Sequence, residues 1–496
     1  MVTGASPAQW EDWSEIDWTD IYLRVRRLQV RIAKAVRERQ WNRVHVLQYL
    51  LTRSYTAKLW AVRRVVTNKG GNTPGIDGVL WVTDEQKLEA ARNIRFRGYR
   101  PEPLRRIYIP KSNGKLRPLG IPTLTDRTMQ ALFALALDPV AEELADLNSY
   151  GFRKVRSLHD AVAQCFITLA KKASPEWILE GDIKACFDMI SHDWLLTNIP
   201  MEKKILQGWL KAGYMEDYAY YETDEGTPQG GIISPILANM ALDGLEWTAR
   251  LSVPRGRGRK INIVRYADDF IITGASKELL VKYVKPAVSA FLARRGLILS
   301  EEKTHLCHIE DGFDFLGVNI RKYSGKLLIK PAAAKVRAFR ERIRQFIKAN
   351  ISAPLVHFLK LLNSKLRGWA QCYRGVVAKQ TFSDIDEYLY RLLRRWMRLR
   401  HRNKTHAWCK KNYYYRMGMR WVFGTKYTSR KGKTTHLKLF KLSDLPIRRH
   451  IKVIGYANPY DPFWDRYYRE RRRRNFLRRK RDREFLATPP LTRMAW

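Results

Sequence analysis

Cysteine is scarce in this chain: five residues in 496 (Cys165, Cys186, Cys307, Cys372, Cys409), scattered, with no C-x-x-C pair and no histidine partner at zinc spacing. That distribution argues against a disulfide framework or structural zinc site and fits a reducing compartment. Long apolar runs are lacking too. The longest, Ala131 to Leu137, stops at Asp138 and is too short to span a bilayer. Met1 through Trp18 carries Glu11, Asp12, Glu15 and Asp17, the wrong charge for a transit peptide, and has no signal-peptide apolar stretch. The expectation is a soluble intracellular protein with no membrane partner.

Acidic charge is the second shortage, with 48 Asp and Glu against 92 Lys and Arg, a formal net charge of +44. Such an excess would repel itself in a compact body unless a polyanion neutralised it, so nucleic acid is the default partner. The excess is uneven. Residues 331–496 hold 43 basic and 10 acidic side chains, whereas residues 1–330 hold 49 and 38. The first two thirds therefore read as an ordinary globular protein and the last third as a binding surface. With 45% apolar and 12% aromatic residues, large cores can form, wholesale disorder is excluded, and the length suggests two to four domains.

Between Ile21 and Leu51, Leu28, Ile32, Ala35 and Val36 recur at helical spacing among Arg and Lys, predicting one or two basic amphipathic helices. The same pattern would serve a merely solvated helix face. GGNTPGIDG, Gly70 to Gly78, is a loop by composition. Arg105 to Pro110 reads as a strand, followed by the turn Ser112-Asn113-Gly114 and a second strand, with Lys111, Lys115 and Arg117 near the tip. Thr125 to Ala145 is helical by period, and 176–330 mixes short β-type runs with helices, an α+β pattern. After Pro331, Val336, Phe339, Ile343, Phe346 and Ile347 mark a basic helix, and another runs from about Ile385 to Leu399. Arg469 to Arg483 is the one low-complexity patch, ten of fifteen residues being Lys or Arg.

The most informative segment is INIVRYADDFIIT, Ile261 to Thr273, in which two apolar runs flank adjacent acids. Neighbours on a regular strand point to opposite faces, so Asp268 and Asp269 act together only at a hairpin turn. Unpaired charge in that apolar setting is costly, and a divalent cation is the simplest neutraliser. An ordinary polar Asp-Asp turn is the alternative. In WILEGDIKACFDMI, Trp177 to Ile190, an apolar strand delivers Asp182 just where the chain leaves it. If the two strands are neighbours, Asp182 and Asp268 can jointly hold two Mg²⁺ ions, a device for in-line phosphoryl transfer, with Asp269 supporting. Spacing alone leaves that adjacency open.

In order, these segments resemble the reverse transcriptases encoded by group II introns, also called maturases. Tyr266-Ala267-Asp268-Asp269 resembles the polymerase palm signature and Asp182 to Asp188 the preceding acidic motif. Gly226-Thr227-Pro228-Gln229-Gly230-Gly231 resembles the loop between them. Thr73 to Val79, Arg117-Pro118-Leu119-Gly120-Ile121-Pro122, Tyr150-Gly151-Phe152-Arg153 and Gly312-Phe313-Asp314-Phe315-Leu316-Gly317 extend the likeness over about residues 20–460 in unbroken order.

The resemblance implies an α+β right-hand polymerase: a basic N-terminal extension (1–69), fingers and palm (70–330), a helical thumb (331–420) and a basic DNA-binding region (421–496). It implies an RNA-directed DNA polymerase that binds its group II intron RNA, assists splicing and copies the RNA into target DNA during retrohoming. The cell compartment would be the bacterial cytoplasm, close to the nucleoid, or an organelle. Asp182, Asp268 and Asp269 would be catalytic, and these with Ile183 would form the set for two Mg²⁺. Lys303 matches a lysine proposed to protonate departing pyrophosphate, though an ammonium serves equally as a plain phosphate contact. Arg105, Lys111 and Arg117 would contact the dNTP triphosphate. Phe187 would lie beneath its sugar, leaving no room for a 2′-hydroxyl, and Gln229 would sit beside the new base pair; core packing and a generic turn are the respective alternatives. Arg367, Arg394, Arg395 and Arg471, Arg472, Arg473 and Arg474 would contact nucleic acid, joined in the tail by the aromatics Trp464, Tyr467 and Tyr468. Trp369 and Tyr373 match the thumb pattern, but packing explains them as well. Many relatives continue into a zinc-bound His-Asn-His endonuclease whose paired cysteines are not found before Trp496, so target-site cleavage is not expected. Two rivals remain at this point, a non-catalytic splicing factor on a polymerase scaffold and a reverse transcriptase serving host defence without an intron.

Overall fold

Asp17 starts the first helix, α1 (Trp18–Arg37), its carboxylate accepting from the N–H groups of Thr19 and Asp20, two donors that a helix start leaves open. The buried side of α1 carries Ile21, Val25, Ile32 and Val36. Helix α2 (Trp41–Arg53) follows, so the stretch Ile21 to Leu51 holds two helices as predicted, and a third, α3 (Tyr55–Val66), lies beyond it. All three pack on α4 (Leu124–Leu144), within a residue of its predicted span and buried around most of its circumference. Each fully buried Leu or Phe of that helix contributes roughly 1.5–3 kcal/mol.

This computed structural model describes residues 10, 12–110, 114, 116–228, 230–254, 260–428, 432 and 434–487. Of the anticipated residues, Lys111, Ser112, Asn113, Lys115 and Gln229 lie outside the described ones. The chain forms two units. The first takes residues up to Gln164, Ser174–Leu306 and Val453–Arg466, and the second takes Cys165–Ala173, Cys307–Lys452 and the chain from Tyr467.

In the first unit, β1 (Leu104–Pro110) pairs antiparallel with β2 (Leu116–Ile121), the predicted hairpin. A second sheet carries the acidic segments. There β3 (Trp177–Gly181) lies antiparallel to β5 (Asp269–Gly274), which is itself hairpin-paired with β4 (Asn262–Tyr266). Gly181 permits this closeness, because a Cβ there would meet the Phe270 ring at 2.3 Å. Val453–Arg466 is also built into this unit: Val453 N–H donates to Asp160, Tyr460 O–H to Asp138, and Arg26 to the Pro459 carbonyl at 2.9 Å.

In the second unit, helices Ala333–Ala349, Leu355–Tyr373 and Lys379–Arg400 meet through aromatic faces. Phe339 stacks on Trp369 at 4.6 Å and Phe358 on Trp396 at 4.8 Å. Trp369 and Tyr373 are buried, so packing accounts for them. A three-stranded sheet follows, Tyr414–Met417, Arg420–Thr428 and Thr434–Lys438, which the sequence pattern did not reveal. The basic tail is helical over Asp465–Ala487, and Asp482 fastens it to Arg374 and to Arg448 at 3.0 Å. Among the described residues no helix is long and apolar enough to cross a membrane.

Candidate active site

The two acids of the Asp-Asp segment stand at a two-residue turn, since Tyr266 pairs with Asp269 and leaves only Ala267 and Asp268 between β4 and β5. Ala267 takes φ +58°, a left-handed conformation that is unfavourable for a residue with a Cβ. The turn is braced from behind. Tyr150 N–H donates to the Arg265 carbonyl and Arg265 N–H to the Asn148 carbonyl, both at 2.9 Å, and Gly151 presses on the turn so closely that a Cβ would lie 2.4 Å from the Ala267 nitrogen. The Arg265 side chain, buried beneath the turn, donates to Asp243 at 2.5 Å and Asn239 at 3.2 Å.

The register Gly181 with Phe270 delivers Asp182 beside Asp269 at the same end of the sheet. The chain leaving β3 runs against 298–300, with Ile183 bridged to Leu299 and Ser300 N–H donating to the Asp182 carbonyl at 2.9 Å. That pairing carries Lys303 to the site, where its Nζ donates to Asp182 at 2.5 Å. Asp182, Asp268, Asp269 and Lys303 are thus brought together, with Ile183 adjacent and buried.

Their electrostatics express crowding. Burial pushes the Asp268 carboxyl above its ordinary value and the charge of Asp182 adds to this, while Arg117 and Lys303 oppose it. Asp269 keeps an exposed edge, yet burial of its carboxyl, then the charges of Asp268 and Asp182 and a hydrogen bond to Asp182, hold it up at about 6. The hydrogen bond to Asp182 holds the Lys303 ammonium above its usual range. Three neighbouring carboxyls form a hard oxygen set that suits Mg²⁺. Among the described residues no three such groups already stand at metal-sharing spacing. The donor chemistry fits the ion all the same, since the group that occupies one Asp182 oxygen is the side chain of an exposed lysine.

A measurable consequence follows for Asp269. A carboxyl whose folded-state pKa is raised from 3.8 to about 6 gives stability that is present below its unfolded pKa and lost as pH rises through the folded one. Asp269→Asn should therefore melt higher than the wild type at about pH 8, by about 1 kcal/mol after solvent screening. The difference should fade near about pH 4. Thermal scans in EDTA at both pH values test this, and a lower melting temperature at the higher pH would contradict it.

Arg105 lies opposite Ile121 and Arg117 opposite Ile109, so the two arginines share one face of the β1–β2 hairpin. Arg117 is the closer to the acids, its charge acting on Asp268. The Phe187 ring is half-buried and meets Phe152 edge-on at 6.1 Å. The glycine-rich loop is stitched to the Phe187 segment: Thr227 N–H donates to the Phe187 carbonyl at 2.5 Å and Gly226 N–H to the Ile190 carbonyl at 2.8 Å. Buried His192 places its Nε2 2.8 Å from the Gly226 carbonyl. Arg367, Arg394 and Arg395 are exposed on the second unit's helices. Arg472, Arg473 and Arg474 are exposed on the tail helix, whereas Arg471 donates to the Ile451 carbonyl at 2.7 Å and Tyr468 is buried. All of these arginines belong to the second unit.

Three family models match: the reverse transcriptase (RNA-dependent DNA polymerase) over residues 109–320, the N-terminal domain of reverse transcriptase over 13–94, and the group II intron maturase-specific domain over 336–414. The group II intron-encoded protein LtrA of Lactococcus lactis subsp. cremoris is 31% identical over 426 residues, covering 66% of this chain and 70% of that protein. The chain belongs to the group II intron-encoded reverse transcriptase and maturase family. Its fold class is accordingly the α+β right-hand polymerase. Another relative of this intron-encoded reverse transcriptase, protein YkfC of Escherichia coli K12, is 34% identical over 55% of this chain and 84% of that protein. A solved telomerase from Candida albicans, in complex with a telomeric RNA fragment, aligns over 65% of this chain and 66% of its own at 12% identity and a TM-score of 0.33, too slight to argue from.

The sequence reading of the site missed the support of Arg265 and His192, and it quoted Gly151 only as part of a motif, without its place against the turn. The signal for Arg265 was present, since a charged side chain inside the apolar run INIVRY needs a buried partner.

Proposed function

We propose that this intron-encoded protein is an active RNA-directed DNA polymerase that binds its group II intron RNA, assists splicing and copies the RNA into DNA at a target site. The convergence of Asp182, Asp268 and Asp269 at one end of neighbouring strands supports this reading. A non-catalytic scaffold has no need to keep three costly carboxyls together.

Asp182, Asp268 and Asp269, with Ile183 alongside, would hold two Mg²⁺ ions. When bound, these ions would activate the attacking primer hydroxyl and neutralise charge on the leaving pyrophosphate. Arg105 and Arg117, on one hairpin face, would bind the triphosphate, joined by Lys111. Lys303, protonated and close to the acids, would contact a phosphate or supply the proton for pyrophosphate. In this scheme residues 70–330 act as fingers and palm, 331–420 as thumb and 421–496 as the region on target DNA.

The test is extension of a DNA primer on an RNA template with Mg²⁺ and dNTPs. A folded, RNA-binding chain that adds no nucleotide would favour the splicing-factor alternative. Phe187, braced by Phe152, would exclude the ribose 2′-hydroxyl beneath the incoming sugar. Phe187→Ala should then raise ribonucleotide incorporation relative to deoxyribonucleotide by on the order of tenfold or more, the range in which pocket shape discriminates one hydroxyl. Competition between rNTP and dNTP in the same extension assay measures it; an unchanged ratio would return Phe187 to core packing.

A further inference from the structure

The second unit contains a cavity of about 510 Å³ between helix Lys379–Arg400 and the sheet that follows it. Its size falls in the range of small-ligand sites. Two aromatic side chains on its wall are half exposed, Tyr390 at 49% and Trp421 at 53%, in a unit whose Trp369, Trp396 and Phe358 are buried. Cations attend both rings: Lys410 Nζ lies 4.5 Å from the Trp421 centroid, and the Arg394 guanidinium 5.8 Å from that of Tyr390. Strand pairing sets Arg416 opposite Trp421, and exposed Arg420 also lines the cavity. Three acids line it, Asp386, Glu387 and Asp444, and none of them is free. Asp386 accepts from the N–H groups of Leu442 and Ser443 at 2.8 Å, and Glu387 pairs with Arg391 at 3.0 Å.

Phosphate contacts to a duplex require cations but no rings, whereas unpaired RNA nucleotides are recognised by stacking the splayed base on aromatic faces. Exposed rings flanked by arginine and lysine suit that second task. We propose that this cavity receives a single unstacked nucleotide of an RNA strand, its base against Trp421 and Tyr390 and its flanking phosphates on Lys410, Arg394 and Arg420. The assignment rests on the RNA-binding reading above, and it gives to RNA a wall, Trp421, that lies beyond residues 336–414, the stretch matched by the maturase model, and at the start of the stretch otherwise read as meeting target DNA.

The experiment uses the full chain and fluorescence anisotropy with two RNA hairpins of identical stem. One carries a single bulged nucleotide and the other an abasic bulge at the same place. Wild type should prefer the base-bearing bulge by on the order of tenfold, the worth of one stacked base. Trp421→Ala and Tyr390→Ala, both at exposed positions, should lose that preference while keeping wild-type affinity for the abasic hairpin and an unchanged melting temperature. Trp421→Phe should retain most of it. Equal binding of the two hairpins by wild type overturns the pocket and leaves RNA binding intact. Binding to neither overturns the RNA-binding reading as well. An equal preference on a DNA hairpin with the same bulge overturns RNA as the occupant.

Discussion

Replacing Asp268 by Asn should lower RNA-templated primer extension by on the order of 10³-fold or more, with affinity for the RNA template unchanged. The substitution keeps the size of the side chain and suits a turn, where Asn is well tolerated. What it removes is one negative charge at the point on which Arg117 and Lys303 both act and which Asp182 faces. Because burial already pushes that carboxyl towards its neutral form, losing the charge gives no reason for the fold to weaken. A fall in rate without a fall in melting temperature therefore separates chemistry from folding. Single-turnover extension alongside filter binding on the same RNA measures both. A rate within about tenfold of wild type would mean that these carboxyls do not carry the reaction.

Parts of this site were legible in the sequence for reasons of geometry. Adjacent acids between two apolar runs demand a turn, and the register Tyr266 with Asp269 supplies the tightest one. Amphipathic spacing gave helix Ala333–Ala349 and most of Lys379–Arg400, because a helix meeting a core on one side must repeat every three to four residues. What spacing could not give was which strands are neighbours. Asp182 reaches Asp269 only because β3 lies beside β5, a pairing between segments far apart in the chain that no local period encodes. The sheet formed by Tyr414–Met417, Arg420–Thr428 and Thr434–Lys438 was hidden by its own exposure, since its strands have few buried positions and no regular alternation of apolar and polar residues. Val453–Arg466 was hidden differently. It is held by hydrogen bonds from its backbone and from Tyr460, which leave little hydrophobic pattern to read.

Loss of Glu142 should damage the fold of the first unit severely, although the residue touches none of the carboxyls. Its side chain is 4% exposed and receives Arg153 through two hydrogen bonds, 2.9 and 2.6 Å, and Arg156 at 3.2 Å; those arginines are 6% and 2% exposed. Arg153 goes on to donate to the carbonyls of Asp146 and Ser149, and Arg156 to that of Gly455. The acid thus organises the loop that ends in Gly151, the residue pressed against the Ala267 turn. Glu142→Ala leaves two guanidiniums buried without their carboxylate, a change that costs roughly 3–5 kcal/mol where one partner of a buried ion pair is removed. At 2–4 °C per kcal/mol for a large domain, the melting temperature should fall by about 6–20 °C. Glu142→Gln keeps the acceptor oxygen and should recover part of that loss. Calorimetry of the two variants tests the claim, and Mg²⁺-dependent primer extension below the transition tests its link to function. A Glu142→Ala protein that melts with the wild type would show that the arginines are satisfied without the acid, and the bracing of the Ala267 turn through this loop would have to be abandoned.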